Sequence, residues 1–351
     1  RTKGKNRHFH GYAAYLKCLK PVEIVTHESV RRRGGGFSTC GCWYTDTEFV
    51  LKGLQIMCGI AGFVNDMPID VKCPVLQRMT DMIAHRGPDS EGHYIDEHAA
   101  LGHRRLSIID LGGGQQPIYN EDGSKVITFN GEIYNYQTLR EELIAAGHTF
   151  TTKSDTEVLL HGYEQWGVDL LQRIRGMFTF VIWDKNKQEL FGARDHFGIK
   201  PFYYAKMNGT FMYASEIKSL LRHPDFVKEL NAEALKPYMT FQYPAIGETF
   251  FKGVYKLPEG HYFTYRDGKM DIHRYYDEDF REGKQKLGEL VNSIDQTVCD
   301  SVKAHQIADV EVGSFLSSGV DSSYVAAVAR PQHTYSIGFG KGTYNRSEER
   351  R

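Results

Sequence analysis

The apolar positions of this chain fall into short periods that change character along its length. Cys58 to Val64 reads as a short apolar strand. Val75, Met79, Met82 and Ile83 then recur at helical spacing until His85-Arg86-Gly87-Pro88-Asp89 ends the helix. A strand is predicted over Lys125–Phe129, running into Asn130-Gly131-Glu132. Two amphipathic helices follow, one with Leu139, Leu143 and Ile144 on a single face, the next with Val158, Leu159 and Tyr163. Further strands are predicted at Met177–Trp183, Glu189–Ala193, Phe202–Ala205 and Phe211–Ala214. Strands and helices arrive in blocks, which predicts a layered α+β domain over residues 58–270.

After residue 270 the pattern shifts. Leu287, Leu290, Ile294, Val298 and Val302 mark an amphipathic helix, and Val310–Leu316 reads as a buried strand. A polar turn, Ser317-Ser318-Gly319-Val320-Asp321-Ser322-Ser323, feeds a helix over Tyr324–Ala329, and Thr334–Phe339 is again apolar. The expectation for 271–351 is a linker and one βαβ unit, the opening of a parallel sheet.

Residues 1–57 read as an extension of a different kind. Residues 1–56 show no sustained period, contain Arg31-Arg32-Arg33-Gly34-Gly35-Gly36, and are expected to be unstructured. They carry ten Lys/Arg against four Asp/Glu, a net of +6, which leaves −7 for the rest of a chain whose total is −1. Three readings compete: upstream sequence read through from a misplaced start, a cleaved propeptide, and an organelle-targeting peptide. Glu23, Glu28, Asp46 and Glu48 weigh against targeting. Lys52-Gly53, which AAAGGA can encode just upstream of Met57, favours the first.

A net charge near zero gives no reason to expect nucleic acid or an anionic membrane as partner. No apolar run approaches the roughly 18 residues that span a bilayer. A cytoplasmic setting is expected, with the six cysteines reduced and Cys40-Gly41-Cys42 incidental.

Cys58 stands directly behind Met57. Were Met57 the translation start and then clipped, Cys58 would carry a thiol and a free α-amine. Such an amine titrates at about 7.7–8.0, so nucleophile and base would share one residue. With residues 1–57 attached, that nitrogen is an amide.

Several motifs occur in order: Met57-Cys58-Gly59-Ile60, His85-Arg86-Gly87-Pro88-Asp89, Arg105-Leu106-Ser107-Ile108-Ile109-Asp110, Asn130-Gly131-Glu132-Ile133-Tyr134-Asn135, Ser154-Asp155-Thr156-Glu157 and Arg194-Asp195-His196-Phe197-Gly198. Together with the serine-rich turn, they resemble the glutamine-dependent asparagine synthetases, which are class II amidotransferases. The resemblance runs from Met57 to about Phe339. It implies an N-terminal-nucleophile domain, a four-layer αββα sandwich, followed by the beginning of an ATP-pyrophosphatase domain with a parallel α/β sheet.

By this resemblance Cys58 attacks the side-chain amide of glutamine and releases ammonia. Asn130, through its side chain, and Gly131, through its backbone N–H, would hold the oxyanion. Arg105 would fork onto the substrate carboxylate. Asp155 would hold its ammonium, with Glu132, Ile108 and Ile109 completing the pocket. Read without the resemblance, Arg105 is as well a strand-edge charge and Asp155 a helix N-cap.

The serine-rich turn resembles a pyrophosphate loop at a helix N-terminus. Ser317, Gly319, Ser322 and Ser323 would contact ATP phosphates, Leu316 and Ile337 the nucleotide, and Asp321 a Mg²⁺ ion. Ser318 departs from the family's glycine. The implied small-molecule partners are glutamine, aspartate and ATP, with the aspartate activated as β-aspartyl-AMP and aminated by ammonia arriving through an internal tunnel. A homodimer is compatible with this reading.

Only about thirty residues follow the turn, so the chain is not expected to make asparagine by itself. Its end at Arg351 reads as a fragment end or a frameshift. Two rival readings stay open: an amidotransferase with another acceptor, and a glutamine-binding module with a blocked nucleophile.

Overall fold

The computed structural model describes residues 57–243, 246–317 and 319–339, together with the backbone of two earlier strands, β1 (Val22–Arg31) and β2 (Phe37–Tyr44). The chain divides into two compact units, Gln55–Gly283 and a second made of Arg1–Leu54 with Lys284–Arg351.

The larger unit is built on two six-stranded antiparallel sheets. The first contains β3 (Gly59–Val64), β4 (Ser90–Ile95), β5 (Ala99–Arg105), β10 (Tyr203–Met207), β11 (Thr210–Ala214) and β12 (Val254–Lys256), in the order β12-β10-β11-β3-β5-β4. The second contains β6 (Ile118–Tyr119), β7 (Lys125–Ile133), β8 (Gly176–Asp184), β9 (Glu189–Arg194), β13 (His261–Arg266) and β14 (Lys269–Arg274), in the order β14-β13-β9-β8-β7-β6.

Alternation along each strand sends neighbouring side chains into different layers. On β8, Val181 and Trp183 enter a cluster shared with Ile60, Leu101, Phe211 and Tyr213 of the first sheet, so this core lies between the sheets. Phe178, Phe180 and Ile182, on the other face of β8, pack against helices α2 (Tyr136–Ala145) and α3 (Asp155–Trp166). On β3, Ala61 and Phe63 pack outward against Val75, Leu76 and Met79 of α1 (Ile69–Asp81) and Leu220 of α4 (Ile217–Leu220). Helix, sheet, sheet, helix is the four-layer αββα arrangement that the resemblance implied. A short helix α5 (Leu235–Phe241) completes the unit's α-helices among the described residues.

The boundary expected at residue 270 falls inside β14, which pairs with β13 from Lys269 to Arg274, and the unit continues to Gly283. The strands missed from sequence include β4 and β5. β4 is mostly half-buried, and β5 carries Gly102 and charged residues at its end, so neither shows a sustained apolar period.

The second unit holds α6 (Leu287–Ala304), β15 (Ser314–Phe315), α7 (Val320–Ala329) and β16 (His333–Phe339). β15 and β16 pair in parallel, with Ser314 opposite Thr334, so the βαβ unit is present. The strand expected over Val310–Leu316 is cut to two residues, and Val310 and Val312 are exposed. Glu311 and Gly313 interrupt its strand propensity. β16 also pairs antiparallel with β1, and β1 with β2, giving the order β15-β16-β1-β2. No regular structure was expected across 22–44. Val22, Ile24, Val25, Thr26 and Val30 supply β-branched residues there without a clean alternation.

Candidate active site

Cys58 immediately precedes β3, the strand at the middle of the first sheet. Its thiol exchanges two hydrogen bonds with the backbone of Leu106, just beyond the end of β5. Leu106 N donates to Sγ at 3.3 Å, and Sγ donates to Leu106 O at 3.5 Å. Its carbonyl accepts from Arg86 Nε at 3.0 Å, and Arg86 is in turn paired with Glu216. The His85–Asp89 motif therefore works as scaffold for this cysteine. Asp89 continues the same task, its backbone N–H donating to Arg105 O at 3.0 Å and its carboxylate accepting from Ser107 N at 2.8 Å.

Cys58, Arg105, Ile108, Ile109, Asn130, Gly131 and Glu132 all reach the wall of one cavity of about 130 Å³. Asp155 is the member of the expected glutamine set that does not line it, although its neighbours Ser154 and Thr156 do. Its carboxylate sits behind the wall, accepting from Ile133 N at 3.0 Å. Burial pushes Asp155 up to about 7, and the nearby Glu132 adds to the shift, while the N–H of Ile133 opposes it. Ser154, not Asp155, is the N-cap of α3, accepting from Thr156 N.

Asn130 is 1% exposed, and neither its Nδ2 nor its Oδ1 has a hydrogen-bond partner. A buried carboxamide left so costs roughly 1–3 kcal/mol. Gly131 lies opposite Phe178 of β8. Phe178 turns its own N–H and C=O to Asp195. Residues 131 and 178 therefore form a non-hydrogen-bonded antiparallel pair, which directs the Gly131 N–H away from β8. Such pairs approach closely, and a Cβ at Gly131 would stand 2.2 Å from Met177 O. The resemblance gives this glycine's N–H to the oxyanion. The structure adds the neighbouring strand as a reason for it.

Arg105 is 5% exposed, and its Nη2 donates to Ile109 O at 3.0 Å and Asp110 O at 2.6 Å, which fixes the guanidinium fork. Burial holds the Cys58 thiol above its ordinary range, against the Leu106 N–H and the charges of Lys200 and Arg105, which draw it down.

Lys200 was not singled out from sequence, yet it lines the cavity and is almost wholly buried. Burial lowers its ammonium, opposed chiefly by Glu132. Its Nζ contacts Met57 Sδ. Asp195 accepts from the N–H groups of Phe197, Ile199 and Lys200 at 2.9–3.2 Å, and Arg194 donates to the carbonyls of Gly198 and Lys200. Gly198, at φ +63°, makes the turn. The Arg194–Gly198 motif thus builds the loop that brings Lys200 to the cysteine. Position two beyond that glycine was the signal that sequence reading could have used.

Met57 also lines the cavity, at φ +134°, a region that side chains rarely adopt.

In the second unit, the serine-rich turn spends its hydroxyls locally. Ser317 N donates to Ser322 Oγ at 3.2 Å, and Ser322 and Ser323 Oγ donate to Gly319 O at 3.2 and 2.7 Å. Gly319 is the N-cap of α7, and Asp321 lies exposed in the helix's first turn. Leu316 N donates to Tyr335 O at 2.8 Å, and Leu316 O accepts from Ser336 Oγ. Ser318 and the side chains of Ile337, Cys40 and Cys42 lie outside the described residues. Among the described residues no helix is long and apolar enough to cross a membrane.

Residues 57–276 match the model of the glutamine amidotransferase domain, and residues 293–351 match that of asparagine synthase. Asparagine synthetase (glutamine-hydrolyzing) 1 of Bacillus subtilis is 45% identical over 291 residues, 81% of this chain and 46% of the relative. Asparagine synthetase (glutamine-hydrolyzing) 3 of the same organism is 36% identical over 81% of this chain and 48% of its own length. An amidase of Gibberella zeae, chry2, is 35% identical over 78% and 42%. The chain spans about half the length of these curated relatives. A match from Met57 through the whole four-layer unit, with the thiol at its cavity, makes this chain a member of the glutamine amidotransferase domain family.

Proposed function

We propose that the chain hydrolyses glutamine at Cys58 and that the ammonia serves an ATP-dependent amination of aspartate. The observation that carries the glutaminase half is Asn130, a buried carboxamide without a partner on the same cavity wall as the Cys58 thiol. Sγ attacks the substrate's side-chain carbonyl carbon, and the carbonyl oxygen takes the electron pair. Asn130 Nδ2 and the Gly131 N–H stabilise that oxyanion. Collapse expels ammonia and leaves a γ-glutamyl thioester, which water hydrolyses to glutamate and free thiol.

The proton leaving Sγ goes to the α-amine of Cys58 once residues 1–57 are removed, and from there to the departing amine. Met57 supports this reading. Its side chain takes up cavity wall beside Lys200, and its backbone conformation costs on the order of 1–3 kcal/mol. Arg105 receives the substrate carboxylate. Glu132 on the cavity wall, with Asp155 directly behind it, receives the ammonium, whose charge would relieve the burial of the Asp155 carboxylate.

The asparagine synthase match over 293–351 and the names of the Bacillus relatives support aspartate and ATP as the other substrates, in a cytoplasmic setting. Asp321 suits Mg²⁺, which is typically held through one or two carboxylates and substrate phosphates, and the ion would neutralise phosphate charge there.

The test is acid quenching of the Cys58-initiated chain during glutamine turnover, followed by mass spectrometry. A γ-glutamyl adduct mapped to Cys58 is expected. Turnover without an adduct at that residue would refute the assignment.

A further inference from the structure

Four side chains from three separate segments converge away from the cavity. Glu121 lies in the turn between β6 and β7, His148 in the connection between α2 and α3, and His161 and Glu164 on α3. One ligand atom from each lies within 4.8 Å of all the others. His148 Nδ1 is 3.2 Å from Glu121 Oε1, His161 Nδ1 is 3.3 Å from Glu121 Oε2, and His161 Nδ1 is 3.2 Å from Glu164 Oε2. Ligands held about 2.0–2.2 Å from a tetrahedral zinc ion stand about 3.3–3.6 Å apart. These three contacts approach that length, with Glu121 facing each histidine through a different oxygen, and the four ligand atoms together span no more than 4.8 Å.

The surrounding groups have the arrangement expected around metal ligands. A ligating imidazole usually donates its other N–H to an oxygen that fixes its orientation. Both histidines turn Nδ1 to the cluster, and Nε2 bonds such an oxygen in His148 but in His161 only faces one, beyond hydrogen-bond reach. His148 Nε2 is 3.3 Å from Gln165 Oε1, and His161 Nε2 is 3.6 Å from Glu157 Oε1. His161 is fully buried, and Glu157 is held in turn by the N–H and hydroxyl groups of Thr151 and Thr152 at 2.6–2.9 Å. Glu164 divides its oxygens. Oε1 accepts from Asn120 Nδ2 at 2.7 Å and faces Lys125 Nζ at 3.4 Å, while Oε2 faces His161. The N–H of Thr149 orients Glu121 Oε1 at 3.1 Å.

We propose that Glu121, His148, His161 and Glu164 form a structural site for a divalent cation of the zinc class. Two neutral imidazoles and two carboxylates balance its charge, and nitrogen with carboxylate oxygen is a donor set suited to zinc. The ion ties the β6–β7 turn and the α2–α3 connection to α3. The N-terminal end of α3 carries Thr156, which lines the cysteine's cavity, so the site braces a wall of that cavity from the far end of the helix.

The test is calorimetric titration of the chelator-stripped full chain with Zn²⁺, alongside Cys58→Ala, His148→Gln and Glu164→Gln. Circular dichroism verifies that each is folded, and Co²⁺ absorption reports the ligands. One Zn²⁺ per chain is expected in the parent and in Cys58→Ala, with a tetrahedral Co²⁺ spectrum lacking sulfur charge transfer. Both cluster variants should bind at least about tenfold more weakly. The proposal is overturned if the parent binds no stoichiometric Zn²⁺, as a plain ion-paired cluster would. It is overturned equally if both folded variants bind as tightly as the parent.

Discussion

The cavity at Cys58 and the turn at the head of α7 both carry polar groups suited to a ligand, but they spend those groups in opposite ways. Around the cavity, Arg105, Asn130 and Asp155 are almost fully buried, and they come from chain segments far apart in sequence. The Asn130 carboxamide has no hydrogen-bond partner, and Asp155 is held up at about 7 by its burial. In the turn, Ser317, Asp321 and Ser323 are exposed, and the hydroxyls of Ser317, Ser322 and Ser323 bond within seven residues of one another. One site is left electrostatically incomplete by its own fold. The other is satisfied locally, as any capped helix start would be. Incompleteness in a buried place is the stronger mark of a ligand, because the fold gains nothing from it otherwise.

The sharpest break of this contrast is at the cysteine. In a chain beginning at Cys58, Cys58→Ala should lower ammonia release by about a thousandfold or more, as loss of a nucleophile does. Asn130→Ala should lower kcat by about 10²–10³ with a smaller effect on KM, the signature of an oxyanion donor. Steady-state ammonia assays decide both, and an unchanged kcat in Asn130→Ala would remove the carboxamide from the chemistry. Arg105→Lys should raise KM for glutamine by about tenfold to a hundredfold, since a lone ammonium cannot keep both carbonyl anchors and still meet the substrate carboxylate.

The two regions also differ in their glycines. Gly131→Ala drives a Cβ to 2.2 Å from Met177 O and should cost about 1–3 kcal/mol in denaturant unfolding. Gly319→Ala meets Ser317 Oγ at 3.4 Å, an ordinary contact, and should cost about 1 kcal/mol or less. Equal costs would erase the distinction between a packed and a locally satisfied site.

Asp155 gives the pH dependence its sign. Burial raises this carboxyl to about 7, so in the free protein it is protonated below that pH and adds no negative charge behind the ammonium's place at Glu132. kcat/KM for glutamine should fall on the acid side in two overlapping limbs, one from the Cys58 amine at about 7.7–8.0 and a second, from Asp155, that steepens the loss below 7. Asp155→Asn should be poor and keep only the amine's limb. A wild-type profile flat from pH 5 to 7 would contradict the reading.

Much of this was legible in the sequence. Cys58, Arg105, Asn130 and Gly131 stood out because their motifs occur in a fixed order, and helices α1 to α3 because a 3.6-residue period survives in Val75, Met79 and Leu139, Leu143. Lys200 was hidden because its approach depends on Asp195 collecting four backbone N–H groups, three of them from its own loop, a geometry with no period. The Glu121, His148, His161 and Glu164 cluster was hidden for a related reason. Only His161 and Glu164 are close in sequence, and the others are delivered by turns. Asp155 was assigned to a pocket it stands behind, since a helix start shows which residues are near but not which face the cavity.

The most direct measurement compares two proteins that differ only in what precedes the cysteine. One begins at Cys58 and the other retains Met57, and ammonia released from glutamine is followed under saturating substrate. Turnover by the first and none above background by the second is the expected result, because only the first has an amine on Cys58. Equal turnover by both would show that the α-nitrogen takes no part, and would contradict the central claim that one residue supplies nucleophile and base.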